Sequence, residues 1–290
     1  MGKDLKIPIG DIGEVIVGFI IANFHVPIAV FSTVVTFLYS GIFSALSYSP
    51  FWLWILIVTP LAWYLANARL AFFGLVGLLI IAKQGLWDPA LQTLSLTLTA
   101  AMLSFAVALP LGTLIGESAA ASRVLNPILD FVQTMPRFVY LIPAVVLFGI
   151  DIVPAVFATM TLAIVPPTRI IALGISKVDP KVVEAAEAFG TRRAAIIWKI
   201  KLPLAKPALL LAANQCLMMA LSMAVISALI GAGGLGANVL NAIATLNAGQ
   251  GFVAGFGILV LAILVDRMMS SLDDRSTRSR RSATIAKAQL

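Results

Sequence analysis

Glu184, Ala185 and Ala186, then Gly190, then Ile200, Leu202 and Pro203 stand at the most informative spacing in this 290-residue chain, inside the run EAAEAFGTRRAAIIWKIKLP. The chemistry open to these types is contact rather than bond-making. Glu184 and Glu187 can meet cationic groups, the alanines at 185, 186 and 188 let another protein come close, and Gly190 permits a sharp elbow. Residues that could make or break bonds are scarce. Cys216 is the one cysteine and lies in an apolar stretch, which excludes an intramolecular disulfide and a cysteine-rich metal site and reads as small-residue packing. His25 is the one histidine and has no partner with which to share a metal. No Walker A phosphate loop, HExxH zinc pattern or nucleophile elbow occurs, so neither a catalytic residue nor a metal ligand is expected.

Local signals say how the informative run must fold. Asp179 supplies an N-cap and Pro180 a first helical residue for a helix to about Phe189. Gly190 stops it, Thr191 caps a second helix through Lys201, and Pro203 closes that helix. Val182, Ala186 and Phe189 share one helical face while Glu184, Glu187 and Thr191 share another, so one side can pack and the other can meet a partner. The hairpin, residues 179–203, is polar and basic between two stretches too apolar for water, as a loop that docks a cytoplasmic partner should be.

Composition places the chain in a bilayer. Hydrophobic residues make up 60%, charged residues 11% and the mean hydropathy is +1.02, whereas soluble domains carry roughly 25% charged residues. An all-α, polytopic membrane protein follows. Spans are expected near 51–67, 70–87, 90–116, 128–149, 153–175, 208–230 and 251–269. Residues 1–50 form either an interfacial amphipathic segment or, near 26–46, an eighth span. Basic residues gather at Arg69, Arg123, 177–206 and after Asp266, which puts the hairpin and C-terminus in the cytoplasm. The net charge of +7 therefore reflects topology, and no nucleic-acid motif accompanies it. Residues 51–270 form the transmembrane domain, and 271–290 a basic tail expected to be disordered and to lie against anionic lipid.

Arg137 is the residue that least suits its surroundings, one place after Pro136 in an apolar span. Two readings are open: it pairs with Asp130 or snorkels to an interface, or it lines a pathway and meets a substrate carboxylate. Gln133 lies one turn earlier, near the same face. Gly231, Gly233, Gly234 and Gly236 allow a sharp re-entrant or turn path, either as an outer gate or contact loop or as a flexible connection. Prolines 110, 136, 143, 154, 166 and 167 should kink or end helices. Phe138, Tyr140, Met218, Met219 and Met223 offer a soft apolar surface for methylated ammonium groups, or simply pack helices.

The spacing of Glu184-Ala185-Ala186, Gly190 and Ile200-x-Leu202-Pro203 resembles the EAA motif of ABC importer permeases. With it stand QTMPRFVYLIPAVVLFG at 133–149, LGISKVDPKVVEAAEAFG at 173–190 and NQCLMMALSMAVISALIGAGGLG at 214–236. Together they resemble the quaternary-amine branch, which takes up glycine betaine, proline betaine, carnitine and choline. The likeness runs from about Leu86 to Met269, is weaker over 51–85, and says nothing of the first 50 residues. It implies a type I ABC importer permease fold, and a coupling role for Glu184, Ala185, Ala186, Gly190, Ile200, Leu202 and Pro203. Read from the residues rather than the resemblance, Gln133, Pro136, Arg137, Phe138, Tyr140, Met219 and Met223 are candidates for a translocation path, Arg137 standing where the resembling permeases usually carry a small or apolar residue. Expected partners are ABC ATPase subunits that bind ATP and Mg, a second permease subunit in a homodimer, an extracytoplasmic binding protein and membrane lipids. The chain itself would hold no cofactor.

Other classes fit less well. Methionine and sulfonate importers are neighbouring branches with the same motif. A gradient-driven secondary transporter calls for intramembrane carboxylates, yet Glu117, Asp130 and Asp151 fall near expected span ends, and the hairpin would serve no purpose. A scaffold needs neither hairpin nor pathway.

Overall fold

A computed structural model describes residues 18–19 and 21–288, with the backbone course alone for 272–288. Among the described residues every regular element is helical. The organising element is the helix Trp87–Glu117, 31 residues and about 46 Å long at 1.5 Å per residue. Its buried face combines small residues, Ala90, Ala100, Ala101 and Ala108, with the hydroxyls of Thr93, Ser95, Thr97, Thr99 and Ser104. Those hydroxyls donate back one turn, as in Ser95 Oγ to Leu91 O at 2.7 Å and Thr99 Oγ1 to Ser95 O at 2.8 Å. Polar side chains are thus satisfied within their own helix in a place where water is absent.

Small residues also set how closely neighbours approach. A Cβ added at Gly112 would lie 2.7 Å from Ile171 Cβ and 2.7 Å from Thr168 O, and one at Gly116 2.8 Å from Ala172 O. The helix Val165–Ser176 therefore packs on Trp87–Glu117 at backbone distance, the contact that glycines make possible between membrane helices. Three apolar clusters result. One, around Leu96, Ala144, Val156, Cys216 and Met223, joins the long helices. A second joins Phe51–Leu65 and Ala68–Lys83 to Leu235, Val260 and Leu264. The third, Ala108, Ile171, Ile175, Leu202, Ala205 and Ala212, lies where the 179–203 hairpin leaves the bundle.

Among the described residues, five helices are long and apolar enough to cross a membrane: His25–Ser47, Trp87–Glu117, Ile152–Ser176, Lys206–Ile230 and Ala248–Ser271. The expected spans at 26–46, 90–116, 153–175, 208–230 and 251–269 fall on these. Three others differ. Residues 51–67 and 70–87 become helices of 15 and 16 residues, Phe51–Leu65 and Ala68–Lys83, packed on one another and each below the roughly 20 residues a straight span needs. Asn67 divides them, its side chain accepting from Leu70 N at 2.9 Å as an N-cap. The expected span 128–149 is broken: Ala119–Thr134 and Arg137–Phe148 meet at 105°. Pro136 is the cause, because it forces Met135 into extended backbone (φ −67°, ψ 137°) and withholds an N–H. Pro110 and Pro127, by contrast, lie inside continuous helices.

The final helix runs Ala248–Ala288, a stretch without glycine or proline after Gly257. Residues 1–17 of the N-terminal segment lie outside the described residues.

Candidate functional site

The hairpin is built as its sequence signals suggest up to the elbow. Asp179 Oδ1 accepts from Lys181 N at 2.9 Å and opens the helix Pro180–Ala188. Gly190 has φ +71°, Gly190 N donates to Glu187 O at 2.8 Å and Thr191 N to Ala186 O at 3.1 Å. This is a Schellman stop, which needs a left-handed residue where Gly190 stands. Beyond the elbow the structure differs from the expected second helix. Thr191 caps nothing: the next helix, Arg193–Ile196, starts after Arg192 with no side-chain cap. Pro203 does not close the helix either. Ile197–Lys201 widens into a π turn, with Leu202 N donating to Ile197 O, and Pro203 then lies in the first turn of the next segment, where no N–H is required of it.

Burial divides the hairpin sharply. No residue of Pro180–Ala188 is buried, Val182 is 42% exposed and Phe189 89%. The apolar face expected to pack against the chain is open as well as the acidic one. At the other extreme Ile196, Leu202 and Ala205 are at most 8% exposed, and Lys201 Nζ donates to the Glu117 carboxylate at the end of the central helix. The tip is free and the base is held. Glu117 was readable from sequence only as a boundary residue, because its partner lies 84 positions away.

The broken span gathers the pathway candidates at its bend. Arg137 opens a 3-10 turn, Arg137–Tyr140, with its side chain exposed and its Nη1 donating to Ser222 Oγ at 3.3 Å. It does not pair with Asp130, which is bonded instead to Arg169. Gln133, Pro136 and Phe138 are exposed around it, and Met219 is half-buried. Tyr140 and Met223 are buried at 6% and 1% exposure, and the Tyr140 hydroxyl is turned into the bundle to donate to Val132 O. Both pack the core rather than an open surface.

At the end of the bundle away from the hairpin the glycine run is a fitted junction, not a flexible connection. Gly231, Gly233 and Gly234 have φ of +96°, +67° and +70°. The helix Gly234–Ala244 that follows is capped from another helix: Gln92 Oε1 accepts from Gly234 N and Thr93 Oγ1 from Leu235 N, both at 2.8 Å. Gly236 packs on Ala224 O. Nearby, a recess of about 330 Å³ is lined by Gln84, Asn238, Asn241 and Gln250, and Asn238 Nδ2 is buried there without a partner. Sequence reasoning found the glycines and missed Gln92 and Thr93, since the bond spans 142 positions.

Cys216 is 1% exposed and His25 begins a helix on the surface. Among the described residues no group of three His, Cys, Asp or Glu could hold a metal. The hairpin thus has an exposed tip and an anchored base, the bent span bears a cation, and the loop at the far end is tied to another helix.

Residues 108–278 match the family described as binding-protein-dependent transport system inner membrane component. The glycine betaine transport system permease protein OpuAB of Bacillus subtilis (strain 168) is 42% identical over 233 residues, 80% of this chain and 83% of the relative. The glycine betaine/carnitine transport permease protein GbuB of Listeria monocytogenes serotype 1/2a (strain 10403S) is 40% identical over 254 residues, 85% and 90% of the two chains. Among solved structures, an inward-facing conformation of the MetNI methionine ABC transporter superposes with a TM-score of 0.57 at 23% identity, over 65% of this chain and 92% of that one. The likeness in fold is to a type I ABC importer permease.

Proposed function

Since the chain belongs to the binding-protein-dependent transport system inner membrane component family, we propose that it is the permease subunit of an ATP-driven importer that carries quaternary-ammonium solutes such as glycine betaine. The hairpin carries this reading: an exposed tip with an anchored base can pass a push from outside the membrane into the spanning helices. An ATPase subunit would take up Val182, Phe189 and Glu184 in a groove, with Ala185 and Ala186 permitting close approach and Gly190 holding the elbow. Ile200, Leu202 and Pro203 would carry the motion to the Glu117–Lys201 anchor. ATP and Mg belong to that subunit, and this chain contributes no group to hydrolysis.

Hairpin and C-terminus then face the cytoplasm, and the far end, with its amide-lined recess and tied glycine loop, faces the extracytoplasmic binding protein. Two copies of the chain form the pathway and alternate between inward and outward access. The basic tail supports contact with anionic lipid. Glycine betaine as the solute is supported by the 42% and 40% identity to permeases of that name.

Uptake of radiolabelled glycine betaine into vesicles holding the permease, its ATPase and ATP, with binding protein outside, tests the reading. Uptake that needs every component is expected. Assembly without betaine uptake would keep the importer and discard the solute, and uptake driven by a proton or sodium gradient alone would replace the whole reading.

A further inference from the structure

Arg137 lies deep in the membrane-crossing part of the chain. Its partner Ser222 belongs to the 25-residue span Lys206–Ile230. Counting 1.5 Å per residue, Ser222 is about 24 Å from Lys206 and about 12 Å from Ile230, so the guanidinium meets this helix about 6 Å from its midpoint. That depth is too far from either end for the side chain to reach a headgroup region easily.

A guanidinium at such a depth has few ways to exist. Hydrocarbon around it is strongly unfavourable, so it must face water or an anion. Asp130, the carboxylate nearest in sequence, is engaged by Arg169, and among the described residues no carboxylate pairs with Arg137. One donor reaches the Ser222 hydroxyl, which itself donates to Met219 O at 2.8 Å. Four of the five N–H donors of a guanidinium remain for something else. The side chain is exposed at the elbow of the bent span, and the next residue, Phe138, is 59% exposed.

We propose that Arg137 is a specificity-determining residue of the pathway, which receives the carboxylate of a zwitterionic solute while Phe138 offers its ring to the methylated ammonium. The inference rests on the importer reading above and names the solute class within it: methylated ammonium carboxylates in preference to carboxylate-free cations. Attraction comes from the forked guanidinium, whose geometry matches a carboxylate. Discrimination comes equally from repulsion, because a solute that is only a cation meets a positive charge at the bend with nothing to offset it. A single arginine with one aromatic neighbour, rather than a closed cage, also suits a site that must release its solute quickly.

The test compares wild type, Arg137→Gln and Arg137→Lys in the complete transporter, each first checked for copurification with the ATPase. Initial uptake rates are read for glycine betaine and for choline at excess binding protein. The glycine betaine to choline ratio should fall at least tenfold in Arg137→Gln. In Arg137→Lys, which keeps the charge and loses the fork, it should fall about threefold. Equal losses for both solutes, or an unchanged ratio in either assembled variant, would overturn the proposal. If Arg137→Gln fails to assemble, the Arg137→Lys ratio decides alone. Absence of glycine betaine uptake by assembled wild type would instead refute the solute reading on which the inference rests.

Discussion

Lys201, in the return arm of the hairpin, is ion-paired with Glu117, the last residue of the long central helix. Side-chain exposures of 16% and 25% make this a partly buried pair. It is stronger than a surface contact yet spared the full desolvation cost of a core one. The pair therefore ties the return arm of the hairpin to the helix that the other spans pack on. Glu117→Gln or Lys201→Met should weaken the anchor by about 1–3 kcal/mol. Each should lower uptake per ATP hydrolysed while the ATPase still copurifies, and the exchanged pair Glu117→Lys with Lys201→Glu should recover part of the loss. Simultaneous measurement of ATP turnover and uptake in vesicles checks this.

Gly190 tolerates its φ of +71° because it has no Cβ. Gly190→Val places a β-branched residue there at roughly 1–2 kcal/mol of local strain, with open space around it and hence no clash to add. The elbow should re-aim without unfolding the bundle. ATPase activity should persist and become uncoupled from uptake; normal coupled uptake would show that the elbow angle is irrelevant.

Gln92 and Thr93 hold the first amides of Gly234–Ala244. Gln92→Leu leaves the Gly234 N–H without its acceptor in a part-buried place, a loss of about 1–3 kcal/mol. The variant should melt at lower temperature in detergent, and Gln92→Glu, which restores an acceptor, should recover most of the difference.

Much of this was legible in the sequence, for reasons that differ by element. Asp179, Pro180 and Gly190 act within one turn of chain, so the first hairpin helix and its stop could be read directly. The second arm was misread because Pro203 signals a helix end locally, whereas a π turn lets the chain accommodate it. Arg137 stood out by type, but its surroundings did not. A helix drawn straight through Pro136 puts Asp130 on its face, and only the 105° bend carries Arg137 to Ser222. Glu117–Lys201, Asp130–Arg169 and Gln92–Gly234 join residues 84, 39 and 142 positions apart, and no periodicity records such pairs. Met223 could be read either way from sequence, because buried and pathway-facing methionines are the same residue type in the same helix, and here it is buried.

On the proposed function, the open tip of the hairpin is where the ATPase binds. The most direct test is the affinity of purified ATPase for the detergent-solubilised permease, with wild type compared against Glu184→Lys and Phe189→Asp, both at exposed positions where folding should be unaffected. A stable wild-type complex is expected, with at least a tenfold loss of affinity in each variant and the melting temperature of the permease unchanged. Wild-type affinity in both variants would contradict it.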